Sequence, residues 1–220
     1  MTQDTLTANG TWTAPATMSV SFFGVAPGGG SGDGTTNPSA GGGGGASLQT
    51  TLSVTAGQVF TASGLTAAVA QAAGSDLKFT LSGVDQVVIK GGGAGVGQTG
   101  GTGGQAASCT SLGTSTTARN GGNGGNGTSN GGAGGGSSGG SAAAGNNGTS
   151  GDVGSGGAAV TGGGKGGNAE TAGSAPGGGG GGSDGTTGKA GGRGQITLTY
   201  TVPASGYPIG FGFGNVLQGS

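Results

Sequence analysis

The chain offers few side chains that could carry out acid–base or nucleophilic chemistry. It has no histidine and a single cysteine, Cys109. Its seven acidic residues are isolated from one another along the sequence: Asp4, Asp33, Asp76, Asp85, Asp152, Glu170 and Asp184. General acid–base catalysis requires titratable groups that are held together in a site. We therefore expect a protein that is not an enzyme.

Two glycine-containing motifs partly match the sequence patterns of ligand-binding sites. Residues 95–100 fit the G-x-G-x-x-G pattern, but glycine continues where a dinucleotide site needs a helix and a later acidic residue. Residues 29–33, Gly-Gly-Ser-Gly-Asp, resemble one calcium-binding β-roll repeat, which occurs once and places its aspartate one position early. We interpret both as results of the high glycine content and expect neither cofactor nor metal.

Residues suited to binding, in contrast to catalytic residues, are present in a segment that interrupts the glycine-rich part of the chain. Residues 108–120 combine hydroxyl, apolar and cationic groups, and such loops on rigid scaffolds often carry binding residues. The candidate receptor-binding residues are Thr110, Ser111, Leu112, Thr114, Thr116 and Arg119. An equally compatible interpretation is a plain connection between two glycine segments. Weaker candidates of the same kind are residues 37–40, 158–161 and 168–176.

A second candidate surface lies at the end of the sequence. Residues 205–220 follow the last predicted strand and hold the richest apolar stretch outside the strands. Exposed aromatic and aliphatic groups at that density mark interfaces. We predict that this tail docks on a partner protein or on a second copy of the chain, through Tyr207, Ile209, Phe211, Phe213 and Leu217.

Charge and hydropathy exclude two classes of partner. The net charge is −1, and the six cationic residues are scattered, whereas a nucleic-acid site needs clustered Lys and Arg. No apolar run reaches 18 residues, so we expect no membrane insertion. The polar start, MTQDTLTANG, shows no secretory signal, and a lone cysteine suits a reducing compartment. These features predict assembly in a cytoplasm.

Glycine supplies 66 of the 220 residues, far above the roughly 7% of ordinary chains. The chain does not fit a collagen triple helix, because the Gly-X-Y period is broken and prolines are few. Disorder and another glycine-built fold are the remaining classes. Glycine recurs every third residue at 179–194 and 145–157, and at 97–103 and 121–127. This period matches the polyproline II conformation, in which the longest run would extend roughly 50 Å.

A helix of that kind has no internal hydrogen bonds and must bond to neighbours. The pattern therefore predicts a laterally bonded polyglycine II bundle over residues 91–194. Alternation predicts strands at 18–23, 48–55, 58–63, 76–81, 85–90 and 195–202, and a short helix is predicted at 66–73. The expected fold is mainly β and irregular. Residues 1–90 form a small antiparallel module with a glycine-rich insertion at 27–46, and 195–203 return to it before the 204–220 tail.

Three anchors give the chain a resemblance to the glycine-rich domain of bacteriophage tail proteins. They are Asn9–Pro15 followed by a strand and a glycine run, the hairpin at 51–58, and the final glycine-to-strand return at 194–200. Alanines depart from the family pattern between Thr66 and Asp76, and the 205–220 tail has no counterpart. The resemblance implies a virion protein of tail or surface, assembled in the host cytoplasm among other virion proteins.

Three functions remain open at this point. The resemblance favours a tail-tip or tail-fibre adhesin, whose receptor would be a host cell-surface glycan or an outer-membrane protein. A purely structural virion component, such as a fibre segment, collar or capsid decoration, is the first alternative. An ice-binding protein is the second, because polyglycine II bundles with threonine-rich faces can bind ice. A homo-oligomer is compatible with each of them.

Overall fold

Two antiparallel sheets form one end of the molecule in the computed structural model, which describes residues 1–34, 38–128, 131–185 and 187–203. The strands are β1 (Thr2–Leu6), β2 (Gly10–Thr13), β3 (Met18–Val25), β4 (Ser47–Val54), β5 (Val59–Ser63), β6 (Leu77–Leu81), β7 (Val84–Ile89), β8 (Thr110–Ser111), β9 (Thr114–Arg119) and β10 (Gln195–Tyr200). The first sheet has the order β1-β10-β3-β4-β9 and the second β2-β5-β6-β7-β8. The expectation of a mainly β protein is confirmed.

The core lies between these two sheets, because alternate residues of each strand point inward. Phe22 of the first sheet meets Phe79 of the second at a ring-centroid distance of 5.4 Å. Trp12 is also buried there. The Trp12 indole N–H and the Tyr200 hydroxyl both donate to Asp4 Oδ2, at 2.8 and 2.6 Å. These bonds join β1, β2 and β10 at one edge of the core.

The structure differs from the sequence-based predictions at three places. Strands β1 and β2 were missed, since short polar strands carry little alternation. The helix predicted at 66–73 is wrong: the segment is irregular, and its carbonyls at Ala68 and Ala72 accept hydrogen bonds from Gly191 and Gly30. Residues 108–120 are not a loop, because β8 and β9 occupy most of them and form an edge of each sheet.

The glycine-rich part consists of extended segments that bond sideways to one another. Segment 38–46 is entirely buried and lies at the centre. Its N–H groups at 39, 42 and 45 donate to residues 177–183, those at 40, 43 and 46 to residues 90–97, and those at 41 and 44 to residues 122–125. Its carbonyls accept with the same period from residues 133–139, 26–32 and 101–104. Six neighbouring segments therefore surround one chain segment.

The two long period-three runs do not form single helices. Gly185 (φ +65°) and Gly151 (φ +119°) lie in turns, and a Cβ at either would meet nothing within 4 Å. Residues 187–194 pass back beside 177–183, as the hydrogen bond from the Gly192 N–H to the Gly178 carbonyl shows. The expected length of roughly 50 Å is therefore wrong, because the glycine period continues unchanged through a reversal of the chain.

Side chains complete the hydrogen bonding at the surface of the glycine segments. Asn120, Asn123 and Asn126 follow one another at the same three-residue spacing. Their Oδ1 atoms accept from the N–H groups of residues 106, 103 and 100, at 2.7 to 2.9 Å. Of the three residues that donate, Gly103 is buried, and its N–H group left unpaired would cost about 1–3 kcal/mol. The asparagine spacing was not recognised from the sequence.

Candidate functional site

The outward side of the first sheet presents a continuous polar surface, which we call the hydroxyl face. Register pairs its side chains into two rows that cross all five strands. The first row is Gln3, Thr199, Ser21, Thr51 and Thr114, and the second is Thr5, Thr197, Phe23, Gln49 and Thr117. With strands about 4.8 Å apart and residues i and i+2 about 6.8 Å apart, the rows cover roughly 19 by 7 Å.

None of the ten side chains in these rows is ionisable. The second sheet differs on its outward side, where Lys78 Nζ lies 2.9 Å from Asp85 Oδ2 and where Val59 and Val84 are at least half exposed. Threonine favours strands in general, and the Ser, Gln and Phe side chains that accompany it in these rows are also uncharged. The hydroxyl face can therefore donate and accept neutral hydrogen bonds without selecting a ligand by charge.

Phe23 is the one aromatic side chain among these ten, and it occupies the middle position of the second row. Its ring is half-buried. The turn at Gly162 lies against it, since a Cβ there would be 3.1 Å from the ring. The turn belongs to the glycine-rich part, which therefore borders the sheet beside Phe23. The hydroxyl face is thus bounded by a ledge along the side that meets the glycine segments.

Arg119 stands at the corner where β9 meets this ledge. Its Cα partner is Ser47, whose hydroxyl donates to the Gly140 carbonyl at 2.9 Å. Within the described residues, the Arg119 Nε atom is buried and has no hydrogen-bond partner. The guanidinium adjoins the hydroxyl face but lies outside its two rows.

The six candidate receptor-binding residues do not form one surface. Thr114 and Arg119 adjoin the hydroxyl face, as described above. Ser111 and Thr116 instead lie 3.2 and 3.0 Å from the buried Thr50 hydroxyl, and this cluster connects the edges of the two sheets. Thr110 pairs with Val88 in the second sheet, and Leu112, 68% exposed, links the sheets.

Residues outside the predicted segment supply most of the hydroxyl face. In β3 and β10, Ser21, Phe23, Thr197 and Thr199 alternate with buried residues and point away from the core. Only the pairing of strands distant in sequence brings them beside Thr114. The predicted docking residues Tyr207, Ile209, Phe211, Phe213 and Leu217 lie outside the described residues, as does Asn37 of the weaker candidates.

A cleft of about 310 Å³ lies between the second sheet and the glycine segments. Lys90 Nζ contacts Asp76 Oδ2 at 2.6 Å on its wall, and this hydrogen bond raises the pKa of Lys90. Burial raises the pKa of the adjacent Cys109 thiol, which keeps it protonated and a poor nucleophile. Among the described residues, no three His, Cys, Asp or Glu side chains are placed to hold a metal ion.

Several turns lie at the end of the glycine segments away from the sheets. Residues 26–34 lead away from β3 and residues 38–46 lead back to β4, so residues 32–34 and 38–40 mark this distant end. Val96 and Val153 are exposed in turns of this end, where Glu170 also forms an ion pair with Lys189 at 3.3 Å. In the part of the chain that the structure describes, no helix is long and apolar enough to span a membrane.

No protein-family model matches the sequence, and no curated protein is similar to it.

Proposed function

We propose that the glycine segments form a polyglycine II bundle and that the protein is a non-enzymatic bacteriophage virion protein, a tail-tip or tail-fibre adhesin. The hydrogen bonding of segment 38–46 supports the bundle, because a three-residue period toward each of six neighbours is what laterally packed three-fold helices require. Close approach of bare backbones also permits Cα–H···O contacts between segments.

The main support for this function is that backbone hydrogen bonds, and not side chains, hold the glycine-rich part together. Residues 38–46 bond through backbone atoms on every side, so cohesion of the glycine-rich part does not depend on an apolar core. Side chains on its turns and on the hydroxyl face are then available for contact with other molecules. Rigid scaffolds that present variable surface residues are typical of recognition proteins. The resemblance carried by Asn9–Pro15, residues 51–58 and residues 194–200 supports the proposal that this recognition takes place on a virion.

Virions that lack the protein test the proposal. Intact particles that no longer adsorb to host cells are the expected result, and adsorption should return when the purified wild-type chain is supplied during assembly. Particles that fail to assemble would instead support a structural component such as a fibre segment, collar or capsid decoration. Particles that assemble and adsorb normally would refute the adhesin.

Within the adhesin, receptor contact is proposed to include Thr114, Thr117 and Arg119. Replacement of Thr114–Thr117 and Arg119 by glycine and serine is expected to lower binding to host cells. Because Thr116 bonds to Thr50, melting of this variant must be compared with that of Thr116→Ser alone, which keeps the hydroxyl. Undiminished adsorption would place the receptor site elsewhere, with the distal turns as the next candidate.

A further inference from the structure

We propose that the hydroxyl face binds an uncharged carbohydrate chain, with one sugar ring stacked on Phe23. This inference rests on the proposed adhesin function and names the chemical class of its receptor. Both its location and its ligand class follow from the two rows of side chains and the ledge that bounds them.

Charge is the first argument for a neutral ligand. The ten side chains of the two rows carry no ionisable group, and Arg119 adjoins them only at the corner. An anionic polymer would be recognised by clustered cations. A protein partner would be expected to need buried aromatic and aliphatic anchors, whereas the rows offer a single half-buried ring.

Hydrogen-bonding capacity is the second argument. Hydroxyl groups of Ser and Thr both donate and accept, and the carboxamides of Gln3 and Gln49 do so through separate atoms. Sugar hydroxyls have the same dual capacity, so a carbohydrate can pair with this face in several neighbouring positions. A site built from such groups rejects ligands that leave them unpaired.

Phe23 supplies the third argument. The electron-rich face of an aromatic ring attracts the weakly positive C–H groups of a sugar ring. Gly162 lies against the ring, since a Cβ there would be 3.1 and 3.2 Å from two ring carbons, and this contact restricts its movement, so less entropy is lost when a ligand stacks on it. Polar groups flank the ring within its row, at Thr197 on one side and Gln49 on the other. An aromatic platform between hydroxyl and amide groups suits a neutral sugar.

Purified full-length protein should be tested on an array of neutral and acidic oligosaccharides, and the strongest neutral ligand then titrated calorimetrically. We expect binding to neutral members and a loss of at least tenfold in affinity for Ser21→Glu and Phe23→Leu. The matched control is Thr61→Glu, an exposed threonine on an internal strand of the second sheet, which should bind as the wild type does. Thermal melting of each variant identifies any loss of folding.

Three outcomes would overturn the inference: no glycan binding, binding to acidic members alone, or Ser21→Glu binding as well as the control does. Thermal hysteresis without glycan binding would instead indicate that the threonine rows bind ice. Virions that carry Ser21→Glu separate this inference from the proposed function. If they adsorb normally while virions without the protein do not, the adhesin stands and the glycan site is wrong.

Discussion

Replacement of Gly44 by alanine would test whether backbone contact holds the glycine segments together. Gly44 lies in the central segment, where its N–H donates to Gly122 at 2.9 Å and its carbonyl accepts from Gly104 at 2.8 Å. A Cβ there would lie closer than 3.0 Å to the carbonyl of Ser137, an approach that Cβ atoms essentially never make. Because the obstacle is backbone, residues 133–139 must move away.

The expected loss follows from what this movement breaks. The Ser137 carbonyl accepts from the Gly122 N–H at 2.8 Å, and displacement of one leaves both groups buried and unpaired. Overpacking costs about 1–3 kcal/mol, and each unpaired group adds about 1–3 kcal/mol. The free energy of unfolding should therefore fall by about 3–9 kcal/mol, out of a typical 5–15 kcal/mol. For a chain of this size, that lowers Tm by at least about 6 °C.

Calorimetric melting and urea unfolding measure this loss, with Gly10→Ala as the control. A Cβ at Gly10 meets nothing within 4 Å, and the backbone there is not left-handed. That substitution should be neutral or slightly stabilising, since alanine restricts the unfolded chain. A Gly44→Ala protein that melts within about 2 °C of Gly10→Ala would refute the packing argument.

The period-three glycines can be tested in an outer segment by a matched pair. A Cβ at Gly191 would collide with the Gly28 carbonyl, whereas Ala190 already carries a Cβ and is half-exposed. Gly191→Val should therefore melt far below Ala190→Val. Residues 41–45 of the central segment differ from this outer segment, because a Cβ at every one of these positions would meet backbone closer than 3.0 Å.

Three other perturbations have defined outcomes. Asn123→Ala should lower the free energy of unfolding by about 1–3 kcal/mol in urea titrations, because the buried Gly103 N–H loses its acceptor, and Asn123→Asp should restore most of it. The hydrogen bond to Asp4 raises the pKa of Tyr200 and so stabilises the protonated phenol in the folded state. Stability should then be full below about pH 10 and fall as the pH rises through the higher folded pKa, and Tyr200→Phe should flatten that fall. Truncation after Val202 should leave a folded protein that no longer binds its virion partner in a pull-down, and unfolding of the truncated chain would contradict a docking role for the tail.

Local signals in the sequence were sufficient for most of the strands. β3 and β10 alternate clearly between apolar and polar residues, because one side of each strand packs in the core and the other meets solvent. β9 gave no such signal. Its residues Thr114–Thr117 are all exposed, and a bulge in its pairing with β4 leaves Ser115 at φ +55°. This segment forms a strand because its backbone pairs with β4 at the edge of the first sheet.

The sequence by itself determined that glycine-rich stretches of three-residue period would alternate with a small β core, since period and composition are local properties. Tertiary structure decided which segments bond to which, where Gly151 and Gly185 reverse the chain, and which amides Asn120, Asn123 and Asn126 would cap. It also assembled the hydroxyl face from five strands that are distant in sequence. The physical reason is that glycine fits a turn and a packed segment equally well, so only the neighbouring chains distinguish them.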